Sequence, residues 1–384
     1  MTTLDQLSVL ITCARGFEPF LADEIGSIGC EKPEISAGAV TCRASFLQTL
    51  RICLHSRIAN KVEVLLAEDH ALNENDIYAL GRKIPLDPWF SPHHSFCIHA
   101  HVNDAKFKNS VFLSLKLKDG IVDHMRDVWN QRASIDTERP DISLSLQVIQ
   151  RKARVFLELQ GDPLNMRGYR RRQIQAPIRE TLAAGMIAAS GWDAGQAFVD
   201  PMCGSGTFAI EAALRAIQSA PGIQRHFAFE KLPFFGDYAQ AWREMRGRAK
   251  DLSRDARKRV SLDIRARDID TTALEIAQNN AQTAGVDEFI HFEKGDILCL
   301  RPTAGAIVTN PPYGERITVN DLDLPEFYYQ LGRHLRTFAD ASLTIISTAE
   351  LLKKHLHMKP EKRIQTFNGP IACEVATYRL GGAR

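Results

Sequence analysis

The 384-residue chain lacks any apolar run of the roughly 18 residues that a bilayer span requires, so no membrane segment is expected. Residues 1–16 carry no basic leader ahead of an apolar stretch, and no signal peptide is expected either. The eight cysteines (Cys13, Cys30, Cys42, Cys53, Cys97, Cys203, Cys299 and Cys373) never form a Cys-x-x-Cys pair. That argues against a zinc ribbon or a disulfide scaffold and fits a reducing, cytoplasmic setting. A dominant charge of one sign is missing too: 48 Lys and Arg face 46 Asp and Glu, net +2. Any basic surface for a nucleic acid must therefore be local. His93, His94, His99 and His101 crowd together with Cys97, but no further ligands at metal-binding spacing accompany them, so no metal is expected. There is no internal repeat and no low-complexity tract. What is present, 45% hydrophobic and 24% charged residues, describes a globular chain long enough for two or three domains.

The first half reads as α+β. Apolar runs rich in branched residues at 7–13 and 38–45 predict strands, each followed by a helical pattern, at 18–29 and 46–59. A second α+β unit opens with a strand at 61–69. It continues through a helix at 75–84, a strand at 95–102 and a long helix at 109–129. It closes in a hairpin: Ile142, Leu144, Leu146 and Val148 alternate, the chain turns at Gln150-Arg151-Lys152, and Val155, Leu157 and Leu159 return. Residues 151–179 then hold eight basic side chains against two acidic ones. Either this is a solvated linker or it is a phosphate-contacting surface; on the second reading Arg151, Lys152, Arg167, Arg170, Arg171 and Arg172 face RNA. From 177 onward short apolar strands alternate with amphipathic helices, ending in a hairpin of 363–367 and 371–380. That pattern predicts a mostly parallel sheet with an antiparallel last pair. The expected division is 1–60, 61–160, a basic linker at 161–176, and 177–384. A basic helical run from Arg246 to Arg259 is read as a solvated face.

Four positions at predicted C-terminal strand ends carry chemistry, where open α/β sheets bind ligands. The first is Asp200-Pro201-Met202-Cys203-Gly204-Ser205-Gly206-Thr207, between a strand and a helix. Its glycines let a ligand approach the backbone. The spacing is neither Gly-x-Gly-x-x-Gly nor a phosphate-binding loop with its lysine, so a pyrophosphate is not favoured. A ligand with a carboxylate or ammonium end fits better, and Asp200 would meet the cation. Cys203 has no evident base partner and is not read as a nucleophile. The second is Asp268-Ile269-Asp270. Asp268 can accept both hydroxyls of a ribose, while Asp270 is placed to cap the next helix. The third is Asp296, which can accept from an adenine amino group, with Ile297 flanking the ring.

The fourth is Asn310-Pro311-Pro312-Tyr313-Gly314. An exocyclic amine conjugated to a base ring is a poor nucleophile because its lone pair is delocalised. An amide oxygen from Asn310 and a carbonyl from Pro311 can accept its two hydrogens and turn the lone pair toward a methyl donor. The two prolines fix φ, and Tyr313 offers a face for the base.

These residues resemble the class I, Rossmann-like S-adenosylmethionine-dependent methyltransferases of the amino-methylating branch, over about 177–384. The resemblance implies a seven-stranded sheet with a reversed last strand, and S-adenosylmethionine as cofactor. Its methionine end would lie at the motif that starts with Asp200, its ribose at Asp268 and its adenine at Asp296. The segment 176–187 resembles the helix that closes over the cofactor, which adds Glu180 to the cofactor set. Arg267 is a departure, since a small residue is usual before the ribose acid. The N-terminal half resembles the ferredoxin-like plus THUMP module of RNA-modifying enzymes. Cys-Ala-Arg-Gly-Phe-Glu at 13–18, Arg-Gly-Tyr-Arg at 167–170 and Asn-Pro-Pro-Tyr-Gly-Glu-Arg at 310–316 together resemble the 23S ribosomal RNA guanine-N2 methyltransferase (RlmL-like) family. That family's long form carries a second methyltransferase domain that this sequence does not contain.

The expected activity is thus methylation of guanosine N2 in 23S ribosomal RNA by a monomer. The rivals are the same chemistry on tRNA, N6 methylation of adenine in DNA, and a non-catalytic RNA-binding assembly factor. The N-terminal module argues against DNA, and intact glycine and Asn-Pro-Pro-Tyr loops argue against a non-enzyme.

Overall fold

A computed structural model describes residues 4–104, 106–107, 109–170, 178–314, 318–319 and 322–381. The N-terminal half contains β1 (Leu7–Thr12), α1 (Glu18–Ser27), β2 (Glu31–Ser36), β3 (Ala39–Ala44), α2 (Phe46–His55) and β4 (Lys61–His70). It continues with α3 (Glu74–Arg82), β5 (Phe96–Asn103), α4 (Ser110–Trp129), β6 (Ile142–Ile149) and β7 (Lys152–Glu158). Its seven strands form one sheet in the order β2-β3-β1-β4-β7-β6-β5, so both α+β units share it through the antiparallel pair β1–β4. Strand β2 was not expected. It carries Pro33, a left-handed Lys32 (φ 47°) and no apolar alternation, and it survives as an exposed edge.

The C-terminal half contains α5 (Glu180–Ser190), β8 (Phe198–Asp200), α6 (Thr207–Ala216), α7 (Ala239–Arg257), β9 (Ile264–Asp268), α8 (Thr271–Ala284), β10 (Ile290–Lys294) and β11 (Gly305–Thr309). A two-residue pair, β12 (Thr318–Val319) and β13 (Leu322–Asp323), precedes α9 (Leu324–Leu335). The chain ends with β14 (Ala341–Ser347), α10 (Ala349–Lys354), β15 (Lys362–Asn368) and β16 (Ile371–Leu380). The sheet order is β10-β9-β8-β11-β14-β16-β15; β16 runs antiparallel to β14, as the sequence pattern predicted. The order reverses between β8 and β11, and open α/β sheets bind ligands at such a switch point.

The halves share one continuous apolar core. Phe17 is fully buried against α5, where a Cβ at Gly185 would stand 2.8 Å from its ring. Thr181 on α5 donates a 2.6 Å hydrogen bond to Asn60. Aromatic rings from the connection between α6 and α7 enter the N-terminal half: Phe46 lies 4.9 Å from Phe234 and 4.8 Å from Tyr238, and Trp89 lies 5.3 Å from Phe234. Among the described residues no helix is long and apolar enough to cross a membrane.

Candidate active site

The four motifs gather at one edge of the C-terminal sheet. Strand β8 ends in Asp200, which is fully buried, and neither carboxylate oxygen has a hydrogen-bond partner. Burial, reinforced by the nearby Asp268 charge, pushes its pKa well above the usual carboxylate range. The Met202 backbone N–H favours the charged form without completing a hydrogen bond. Such a group costs free energy unless a cation or a donor meets it. After the buried Pro201 the loop turns through Gly204 (φ 51°) and Gly206 (φ 82°) into α6. At Gly206 a Cβ would lie 3.0 Å from the Ala277 Cβ on α8, so only glycine fits. At Gly204 no atom stands within 4 Å of where a Cβ would be, which is room a ligand can use. Asn280 on α8 donates 3.1 Å to the Ser205 carbonyl and holds the loop. Cys203 is buried with its thiol pKa raised well above normal, chiefly by burial, so it is no nucleophile.

Asp268 at the end of β9 accepts from the Gly204 N–H at 2.9 Å and from the Asp270 N–H at 3.0 Å. Each oxygen keeps a second lone pair for a hydroxyl. Asp270 accepts from the Thr272 N–H at 2.8 Å through one carboxylate oxygen and caps α8. Asp296 accepts from Leu298 N–H at 2.9 Å. Ile297 is 3% exposed and packs into a second core. Ile269, directly after Asp268, is 49% exposed. Arg267 pairs with Glu293 at 3.1 Å and packs on Gly295, which explains why a large residue is accommodated there.

Strand β11 delivers Thr309 and then Asn310, whose amide oxygen is buried without a partner; the Thr309 hydroxyl is likewise unanswered. Pro311 is buried, and Pro312 and Tyr313 are half-buried. The Tyr313 hydroxyl is pushed above its ordinary pKa by burial and stays protonated.

Glu180, expected at the cofactor, is buried on α5 and paired with Arg170 at 3.2 Å. The same Arg170 donates 2.9 Å hydrogen bonds to the Ile178 carbonyl and to the Thr207 hydroxyl at the start of α6. Arg170 therefore does not face RNA. It ties the chain before α5 to α5 and to the end of the glycine loop. Arg167 is not on the surface either: 5% exposed, it lies 3.6 Å from Glu211 and donates to the carbonyls of Leu164 and Arg57. A desolvated guanidinium spent on internal acceptors cannot reach a phosphate. Arg171 and Arg172 lie outside the described residues. Arg151 is exposed at the β6–β7 turn, and the adjacent Lys152 pairs with Glu68 at 2.9 Å. In the histidine-rich segment, Cys97 Sγ lies 3.3 Å from His99 Nε2, and among the described residues no group of three or more His, Cys, Asp or Glu is placed to hold a metal.

The fold and this strand-edge site define a class I, Rossmann-like methyltransferase domain joined to a THUMP-containing module. Residues 167–377 match the RMKL-like methyltransferase domain, and the chain belongs to that family. Residues 8–63 match the RlmL ferredoxin-like domain and 71–158 the THUMP domain. The chain is 36% identical to the ribosomal RNA large subunit methyltransferase K/L of Psychromonas ingrahamii, over 98% of this chain and 51% of that protein. It thus spans about half the length of the curated relatives it matches. Among solved structures, "a possible methylase from Clostridium difficile 630" superposes with a TM-score of 0.86 at 29% identity, covering 99% of this chain and 100% of the other. The SMU.472 chain, crystallised with SAH, superposes with a TM-score of 0.88 at 24% identity, covering 99% and 100%, which shows the shared fold.

Proposed function

We propose that this chain is an S-adenosylmethionine-dependent RNA methyltransferase that modifies the exocyclic N2 of a guanosine in 23S ribosomal RNA. One observation carries the reading: buried acceptors without partners, Asp200 and Asn310, sit at the ends of the adjacent strands β8 and β11. S-adenosylmethionine fits what they leave open and supplies a methyl group on a sulfonium. Asp200 meets its ammonium, Asp268 its ribose hydroxyls, and Asp296 and Ile269 its adenine. Asn310 and the Pro311 carbonyl accept the hydrogens of the target amine and localise its lone pair. Tyr313 stacks on a base that has left its helix. The THUMP match and the ribosomal RNA methyltransferase names of the relatives support RNA as substrate. In this reading 1–60 and 61–160 form the RNA module, 161–176 link it, and 177–384 catalyse. Arg151 and Lys152, with Arg171 and Arg172, contact phosphates, and the chain acts as a cytoplasmic monomer.

Titration calorimetry with S-adenosylhomocysteine tests the pocket. Asp200→Asn should weaken binding by at least about 30-fold, the scale expected when a buried charge pair loses one partner. Because burial raises the Asp200 pKa and the carboxylate must be ionised to hold an ammonium, wild-type binding should weaken as pH falls. Nucleoside mass spectrometry of ribosomal and transfer RNA from a deletion strain tests the substrate: N2-methylguanosine should be missing from 23S ribosomal RNA. Loss confined to tRNA, or loss of N6-methyladenine from DNA, would overturn the assignment.

A further inference from the structure

We propose that the C-terminal hairpin and α9 brace the catalytic loop, with Asn368 and Tyr328 as positioning residues that set the Tyr313 ring and the peptide after Pro312 before substrate arrives. This deepens, and rests on, the amine-methylating role given above to residues 310–313. A loop with two consecutive prolines has lost two backbone donors, so side chains from elsewhere must hold it.

Two such contacts exist, one on the Pro312 carbonyl and one on the ring tip of Tyr313. Tyr328 on α9 donates its hydroxyl to the Pro312 carbonyl at 3.2 Å, and that hydroxyl lies 2.6 Å from the Ser347 hydroxyl at the end of β14. Tyr328 and Ser347 are both fully buried, and burial raises the phenol pKa, so the donor proton stays in place. At the other end, Asn368 Nδ2 donates to the Tyr313 hydroxyl at 2.7 Å. Cys373, on β16 of the same hairpin, neighbours the Tyr313 hydroxyl. Asn368 is the last residue of β15 and pairs with Ile371 across the turn, so the register of the reversed strand sets where its amide lands.

The consequences are chemical. With its peptide held by Tyr328 and its ring tip held by Asn368, Tyr313 cannot swing about its side-chain axis, so the stacking plane is set in advance. With the Pro312 carbonyl engaged by Tyr328, the role of second acceptor for the target amine falls to Pro311. The Asn310 amide oxygen remains without a partner in the same loop. The reversed strand thereby serves the reaction as well as the sheet: its hairpin returns to the ligand edge beside the base slot.

The test uses the full chain and an RNA substrate that the wild type methylates. Tyr328→Phe and Asn368→Ala should each lower kcat by about 10- to 100-fold, the scale of a sub-ångström to 1 Å misplacement of reacting groups. KM for RNA and the calorimetric affinity for S-adenosylhomocysteine should stay within about twofold of wild type. In a Tyr313→Phe background, which removes the hydroxyl that Asn368 holds, Asn368→Ala should cost nothing further; a merely structural role for Asn368 would give additive losses. Wild-type kcat in Asn368→Ala, or additivity in the double variant, overturns the brace. If Tyr328→Phe does not fold, the Asn368 pair of variants decides alone. A wild type that neither binds S-adenosylhomocysteine nor methylates RNA would instead sink the underlying reading.

Discussion

The N-terminal sheet and the ligand edge of the C-terminal sheet treat buried polar groups differently. The N-terminal sheet buries an acid and answers it. Glu158 accepts from Lys61 at 2.8 Å and from Gln160 at 3.1 Å. The C-terminal sheet buries Asp200, Thr309 and Asn310 at its ligand edge and leaves them unanswered. Since a buried polar group without a partner costs about 1–3 kcal/mol, several at neighbouring strand ends point to a molecule that completes them. Satisfied acids hold a scaffold, whereas unsatisfied ones mark a site.

The sharpest way to break this contrast is Asn310→Ala. It should cut kcat by about 1,000-fold or more, as losing a group that acts on the transition state does, while S-adenosylhomocysteine still binds with wild-type affinity. Full activity in that variant would mean the unanswered amide is not a catalytic group. The next effect falls on the joint between the sheets. Phe17→Ala empties a ring-sized space against Gly185 and should cost about 3–5 kcal/mol in denaturant unfolding. A loss under about 1 kcal/mol would show that the two halves are merely tethered.

Much of this contrast was legible from sequence where local pattern and local chemistry agree. The βα alternation after 177 and the hairpin at its end follow from periodicity and turn residues. The four strand-end motifs are legible because each is a short contiguous segment at the end of a strand. What escaped depends on distant partners. Arg167 and Arg170 look like surface cations in a polar stretch, but Glu211 and Thr207, some forty residues later, draw them inside. Glu180 looks like a cofactor ligand until Arg170 claims it. Ile297 looks like a ring neighbour, yet α9 covers it. Asn368 and Tyr328 carry no motif at all; their partners at 312 and 313 become visible only once the hairpin folds back onto the ligand edge.

A buried acid of the N-terminal sheet gives the contrast its finest test. Glu63, on β4 of the scaffold sheet, is 1% exposed, and its Oε1 has no partner. Burial first, and the neighbouring Glu158 charge second, raise its pKa from 4.5 to about 7. It is the third residue of β4, pairs across the sheet with Glu158 and belongs to the scaffold sheet rather than to any of the four strand-end motifs, so it should behave as a stability defect and not as a binding group. The sign follows from linkage. A folded pKa above the unfolded one means the native state holds the proton more tightly, so its contribution is fully present below about pH 4.5 and is lost as pH rises through about 7. At 1.36 kcal/mol per unit, the loss is on the order of 3 kcal/mol at pH 8. Glu63→Gln mimics the protonated form. It should match wild type in unfolding free energy near pH 4 and exceed it by about 2–3 kcal/mol at pH 8, with methyl transfer unchanged. A variant that gains nothing at pH 8, or that loses activity, would place Glu63 with Asp200 and Asn310 among the groups awaiting a ligand.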